Sequence, residues 1–250
     1  MSRKAGTWKL AGWMVVMAAI GVLIWLAEGR RGDDDDERAG EARAAVREDP
    51  APVQTPGTSI LYNFDSDAAG QPPANFHQAL TGGGGAVKWV VQRDESAPSK
   101  PNVLMQTSAN KTDNRFPLAI AGQGSFRDLE LSVKFKAVSG EVDRAGGLVF
   151  RLKDANNYYV VRANALEDNF NLYHVVNGTR RQIKGSSVKV SSGAWHDLRV
   201  EATGGKIACY FDGKKQIEAS DETFKNAGKV GLWTKADSVT AFDDLRVVAK

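Results

Sequence analysis

Three apolar runs occupy the middle of the chain: Ala145-Gly-Gly-Leu-Val-Phe-Arg151, Asn157-Tyr-Tyr-Val-Val-Arg162 and Phe170-Asn-Leu-Tyr-His-Val-Val176. Turn-forming residues separate them, at 153–156 and 167–169. Short apolar runs this close together, each bounded by Asn, Asp or Gly, predict consecutive antiparallel strands. Strand side chains alternate between the two faces of a sheet. If Leu148 and Phe150 face a core, then Tyr159, Val161, Ala163, Phe170, Leu172 and His174 face it with them. The opposite face carries Arg151, Tyr158, Arg162, Asn164, Asn171 and Tyr173.

The same pattern runs outward from the centre. Ser59-Ile-Leu-Tyr-Asn-Phe-Asp65 opens the folded region, and further strands are expected at 86–91, 103–107, 118–121 and 129–136. Beyond the centre, apolar runs predict strands at 181–183, 188–190, 195–201, 206–211, 216–219, 229–234 and 242–248. Asp212-Gly213 is a hairpin turn signal. No helix of ordinary length is expected here. The fold class is therefore all-β, a jelly-roll sandwich of two antiparallel sheets over residues 58–250.

The first 57 residues read differently. After a short tail at 1–9, residues 10–27 are almost wholly apolar. As a helix they extend roughly 27 Å, against a bilayer core of about 30 Å, which predicts a transmembrane signal anchor. A cleaved signal peptide is the alternative, but Trp25 ahead of Ala27 makes a poor cleavage site. Residues 28–57 hold Asp33-Asp-Asp-Asp-Glu37, an Ala/Arg/Glu-rich stretch, and Pro50, Pro52 and Pro56, with no aromatic ring. Such a segment cannot bury enough surface to fold alone and reads as a disordered linker. The expected location is membrane-anchored, with the β domain exported to the periplasm or the cell surface.

Composition narrows the chemistry. At 250 residues and 42% hydrophobic, the chain can bury one sizeable core plus an extension. A net charge of +3 with no basic, ring-studded stripe argues against nucleic acid as a partner. The single Cys209 rules out an intramolecular disulfide, and no Cys/His spacing suggests zinc. The outward set mixes rings, guanidinium forks and amides, which stack on sugars and bond their hydroxyls. A solvated face with ordinary cross-strand pairs is the alternative. The expected partner is a carbohydrate or glycoconjugate. Glu167 and Asp168, at the rim of that face, are the candidate catalytic carboxylates. His196 shares a strand face with Leu198 and Val200 and is expected to be packed, with Trp195 on the opposite face.

Four segments carry a family resemblance: Gly193-Ala-Trp-His-x-Leu-x-Val200, Tyr210-Phe-Asp-Gly213, Gly228-x-Val-Gly-Leu-Trp233 and Phe242-Asp-Asp-Leu245. Together they resemble the concanavalin A-like lectin/glucanase superfamily, above all laminin-G-like jelly rolls and the 3-keto-disaccharide hydrolase domain. The resemblance implies one of three functions: carbohydrate binding, a glycoside-acting hydrolase of 3-keto-disaccharide hydrolase type, or a protein-interaction module. Glycoside hydrolase family 16, in the same superfamily, uses Glu-x-Asp-x-x-Glu. Glu141-Val-Asp143 begins that motif, but Gly146 stands where its last glutamate would be. Retaining hydrolysis needs two carboxyl groups about 5–5.5 Å apart, and no second positioned carboxylate is evident. The superfamily also implies a structural calcium joining the first and last strands, with Asp65 and Asp243 as its candidate ligands.

Overall fold

The computed structural model describes residues 52–250, which form fifteen strands and no helix. The first sheet contains β1 (Ser59–Tyr62), β3 (Trp89–Arg93), β4 (Asn102–Gln106), β6 (Leu129–Ser139), β11 (Trp195–Thr203), β12 (Lys206–Phe211), β13 (Lys214–Ser220) and β15 (Val239–Ala249). Its order is β13-β12-β11-β6-β15-β4-β3. β1 also pairs with β15, so one edge of β15 is shared: Phe242 pairs with Leu104 of β4, and Leu245 with Tyr62 of β1. The second sheet contains β2 (Phe76–Gly82), β5 (Arg115–Ala121), β7 (Ala145–Asp154), β8 (Asn157–Asn164), β9 (Asn169–Val176), β10 (Thr179–Ser187) and β14 (Lys229–Thr234). Its order is β10-β9-β8-β7-β14-β5-β2, and every strand pairing in both sheets is antiparallel.

Alternation explains the first sheet. In β6, Leu129, Leu131, Val133, Phe135 and Ala137 are buried, while the residues between them are half-exposed. They meet Leu148, Phe150, Tyr159, Val161, Ala163, Phe170 and Leu172 of the second sheet in the inter-sheet core. Each Val, Leu or Phe among them contributes roughly 1.5–3 kcal/mol on burial. The inward assignment from the sequence therefore holds for these residues, while His174 sits at the rim, within reach of Thr223 and Asp221. His196 is packed between the rings of Phe135 and Phe211, and Trp195 lies outside beneath Lys136. Cys209 is buried in the core, and burial pushes its thiol pKa upward.

The second sheet departs from simple alternation. In β7, the residues from Ala145 to Leu152 are all buried, and β8 is buried from Tyr158 onward. Its outer face has a core of its own, built from Phe116, Val149, Tyr158, Val160, Tyr173, Val175 and Trp233. Curvature closes this layer. Thr81 of the far edge strand β2 donates to Ala155 O in the β7–β8 turn, and the Tyr158 hydroxyl lies 2.8 Å from Thr81 Oγ1. Gly178 N in the β9–β10 turn donates to Asn156 O at 2.9 Å. These bonds draw one end of the sheet toward the other, so its outer face is concave and its rings are covered.

Two element expectations change. β2 has no counterpart in the sequence reading; the piece expected at 181–183 is part of a longer strand, β10, with a bulge between Gln182 and Lys184, and residues 188–190 form no strand. Chain contacts also begin ahead of the expected boundary at 58, because Val53 bridges Ser125. The tail, the apolar span at 10–27 and nearly all of the linker lie outside the described residues. No helix among the described residues is long and apolar enough to cross a membrane.

Candidate functional site

Five of the six residues expected on the outward face do lie there, and they belong to its buried layer. Arg162 and Asn171 are cross-strand partners on β8 and β9, as are Asn164 and Asn169. Gly147 of β7 makes room beside them: a Cβ there would stand 2.9 Å from the Arg162 Cβ. The Arg162 guanidinium donates to Asn169 Oδ1 at 2.5 Å, Glu167 Oε2 at 2.8 Å and the Tyr173 hydroxyl at 3.1 Å. Asn171 Nδ2 donates to the same hydroxyl at 3.0 Å. Tyr173 thus accepts two hydrogen bonds, which leaves its own O–H free to donate.

Asn164 and Tyr158 serve the scaffold. Asn164 donates to Asp143 Oδ1 at 2.9 Å and accepts from Leu166 N at 2.9 Å, fixing the turn that carries Glu167. Tyr158 is wholly buried, and burial, with Thr81 opposing, pushes its hydroxyl up to about 12.

Arg151 is a correction. Its φ of 47° falls in the left-handed region, where β7 loses register with β8 between Phe150 and Asp154. A bulge re-aims a side chain. The guanidinium leaves the outer face and donates to Arg127 O at 2.7 Å, Gly204 O at 2.7 Å and Phe224 O at 3.0 Å, with Asp128 at 3.4 Å. It ties β7 to loops of the first sheet and is only 2% exposed. The expectation that these residues form one exposed patch is corrected with it, because curvature covers the other five.

The acidic residues divide. Glu167 faces Arg162; burial raises its pKa, but the Asn169 hydrogen bond and the Arg162 charge outweigh it and hold the carboxyl below its ordinary range. Asp168 instead accepts from Lys189 Nζ at 2.8 Å and Val190 N at 3.0 Å. Alternation gave no reason to place Asp143 here, yet it is 1% exposed with its Oδ2 3.0 Å from Lys235 Nζ. Burial pushes its carboxyl above the ordinary range against the pull of Lys235. Lys235 also contacts Asp113 at 2.5 Å.

The concave face opens at a cleft of about 280 Å³ lined by Asp113, Asn114, Phe116, Thr179, Arg180 and Lys235. Arg180 roofs the buried rings, with its guanidinium carbon 4.5 Å from the Tyr173 centroid, 4.8 Å from Phe116 and 5.5 Å from Trp233. Phe116 and Trp233 stack at 5.4 Å. Two guanidinium nitrogens of this layer, Arg162 Nε and Arg180 Nη1, are buried with no hydrogen-bond partner. Larger depressions of about 500 and 630 Å³ lie on the first sheet, with no aromatic ring among their lining residues.

Sequence reasoning missed Arg180, Trp233, Asp143 and Lys235. Alternation along Val230, Leu232 and Trp233 would have placed the tryptophan on the outer face. Asp143 stands only in the incomplete Glu141-Val-Asp143 motif, and nothing local marks Arg180 or Lys235.

The expected calcium ligands answer to separate parts of one loop. Asp65 Oδ1 accepts from Asn102 N at 3.0 Å, and Asp243 accepts from Ser99 N at 2.9 Å. Among the described residues, no group of three or more His, Cys, Asp or Glu side chains is placed to hold an ion. The calcium expectation at Asp65 and Asp243 therefore finds no ligand set.

Comparison with solved structures shows the concanavalin A-like fold. The carbohydrate-binding module CBM66 from Bacillus subtilis matches at 20% identity and a TM-score of 0.56, covering 69% of this chain and 95% of that one. Domain 4 of AbnA, a GH43 extracellular arabinanase from Geobacillus stearothermophilus solved with arabinotriose, matches at 15% identity and 0.52, covering 78% and 94%. A beta-glucanase from Bacillus licheniformis matches at 12% identity and 0.51, covering 79% and 100%. No curated protein matches the sequence. Residues 77–248 match a family model spanning more than half of the chain, which therefore belongs to the 3-keto-alpha-glucoside-1,2-lyase-like domain family.

Proposed function

We propose that the domain binds a carbohydrate at the opening of the concave face of the second sheet. The observation that carries this reading is the set of unused donors at and beneath that opening: Arg180 Nη1 on the cleft residue itself, and Arg162 Nε and the O–H of Tyr173 in the layer under it. Buried donors without partners are costly, about 1–3 kcal/mol each, so a fold keeps them where a ligand or water completes them. A sugar offers a rim of hydroxyl acceptors for these donors. The fold shared with a carbohydrate-binding module and an arabinanase domain supports the same reading. A glycan array probed with the full chain and with Tyr173→Phe tests it. Hits that fade in the variant are expected; a blank array, or hits indifferent to Tyr173, would overturn it.

One observation favours catalysis as a second reading. A 1,2-elimination from a 3-keto glucoside needs a base for the proton beside the carbonyl and an acid for the departing oxygen. Asp143 and Lys235, 3.0 Å apart behind the cleft, are an ionisable pair of that kind. Release of a free sugar from a 3-keto-α-glucoside that Asp143→Asn abolishes while glycan binding survives would support it. Residues 10–27 are proposed to anchor the domain in a membrane, with 28–57 as spacer. Recovery of the intact chain in the alkaline-washed membrane fraction is the expected result, and a mature N-terminus beyond Ala27 would overturn it.

A further inference from the structure

We infer that the cleft at Arg180 receives a carboxylate, and that the sugar bound there is a uronate. This rests on the carbohydrate reading and adds the charge class of the ligand.

Four arginines that reach the interior carry the argument, three of them buried and Arg180 half-buried. Arg115 donates to Gly85 O, Ala86 O, Ala236 O and Ser108 Oγ. Arg151 has three carbonyls and Asp128. Arg162 has Glu167, Asn169 and Tyr173. Of the four, Arg180 alone has no side-chain or carbonyl partner among the described residues, and its Nη1 is buried without a hydrogen bond. Burial lowers its pKa, as expected of a desolvated cation.

Three rings surround it, but rings attract a guanidinium through its charge and its flat faces. They accept nothing from the N–H groups along its edge. That edge is a planar fork whose spacing matches the two oxygens of a carboxylate. Phe116 and Thr179 line the same cleft, so the fork is held at the mouth of the concave face. The other cation at the mouth, Lys235, is already shared between Asp113 and Asp143. Arg180 is therefore the charge left for a ligand. A neutral hydroxyl would complete one N–H, whereas a carboxylate would complete two and neutralise the charge.

Titration calorimetry of the full chain with glucuronate-, galacturonate- and mannuronate-terminated trisaccharides, each against its methyl ester, tests this. At least one acid is expected to bind about tenfold or more tightly than its ester, the value of a charge-assisted hydrogen bond. Arg180→Gln should bring that acid down to its ester, while the ester itself loses only what one hydrogen bond to a neutral hydroxyl contributes. Arg180→Lys, which keeps the charge and loses the fork, should fall between. Thermal melts of both variants confirm that they fold. Acids no tighter than their esters, or an Arg180→Gln protein that still discriminates, would overturn the inference. If neutral sugars bind through Tyr173 while acids show no advantage, the carbohydrate reading stands without it. If no sugar binds, both fall.

Discussion

The strands of the second sheet carry a layer on each face, and the two layers are built on different rules. Toward the first sheet, Leu148, Phe150, Val161 and Leu172 bury hydrocarbon against hydrocarbon, and Phe150 stacks on Tyr159 at 5.1 Å. On the concave side, Val149, Val160 and Trp233 are just as deeply buried, yet they lie beside Arg162, Arg180, Asp143 and Lys235. The inner layer needs only shape and volume. The outer layer adds ionisable groups, and two guanidinium nitrogens there are buried without a hydrogen-bond partner.

Perturbing each layer sharpens the contrast. Phe150→Ala is expected to cost about 3–5 kcal/mol in a denaturant or thermal melt, because it opens a cavity between the sheets. Glycan binding would vanish only with the fold. Arg151→Gln should cost about 2–4 kcal/mol by stranding three carbonyls and weakening the hold on Asp128. Its glycan affinity, measured at a temperature where the variant is folded, should match the parent's. A loss there would return Arg151 to the site.

The pH dependence offers a control outside both layers. Burial pushes Asp243 up to about 6, with Asp244 adding to the effect and the amides of Ser99 and Asp244 opposing it. A carboxyl whose pKa is raised on folding holds its proton more tightly in the native chain. The stability it lends is complete below the unfolded value near 4 and is lost as pH rises through about 6. The difference amounts to at most about 3 kcal/mol. Asp243→Asn should flatten the unfolding midpoint between pH 4 and 6, and a variant profile parallel to the parent's would refute the assignment. The smallest effect on stability is expected from Arg162→Gln, about 1 kcal/mol, since its partner Glu167 is half-exposed and can turn to water. Its effect on glycan affinity should be far larger, about ten- to a hundredfold.

These contrasts also show what the sequence reveals. Strands such as β6, β8 and β15 are legible because one-in, one-out alternation or a long apolar run has no other explanation. β2 escapes because Phe-His-Gln-Ala-Leu-Thr-Gly is an edge strand with exposed positions and weak alternation. β10 is legible only at 181–183 for a similar reason, since polar residues fill most of this edge strand. The site is harder. Alternation placed Arg162, Asn171 and Tyr173 on the right face, because face depends on parity alone. Their burial depends on curvature, which rests on contacts such as Thr81 to Ala155 that span most of the sheet. Parity also fails wherever a residue is added to one strand, as the bulge at Arg151 demonstrates.

The shared edge of β15 bears on how the domain is made. Ser59, in the first strand, pairs with Val248, in the last, and β15 lies between β6 on one side and β1 and β4 on the other. Until residues 239–249 emerge, the first sheet is split into three pieces, with β1 unpaired, and its early strands offer open edges to any passing chain. Folding must therefore wait for nearly the whole domain to be synthesised, the long-range closure that slows all-β proteins. Such a delay leaves the incomplete domain open to proteolysis until its last strand is made. Pulse-labelled nascent chains ending at residue 238 should accordingly be digested by protease, while those carrying β15 free of the ribosome should resist it.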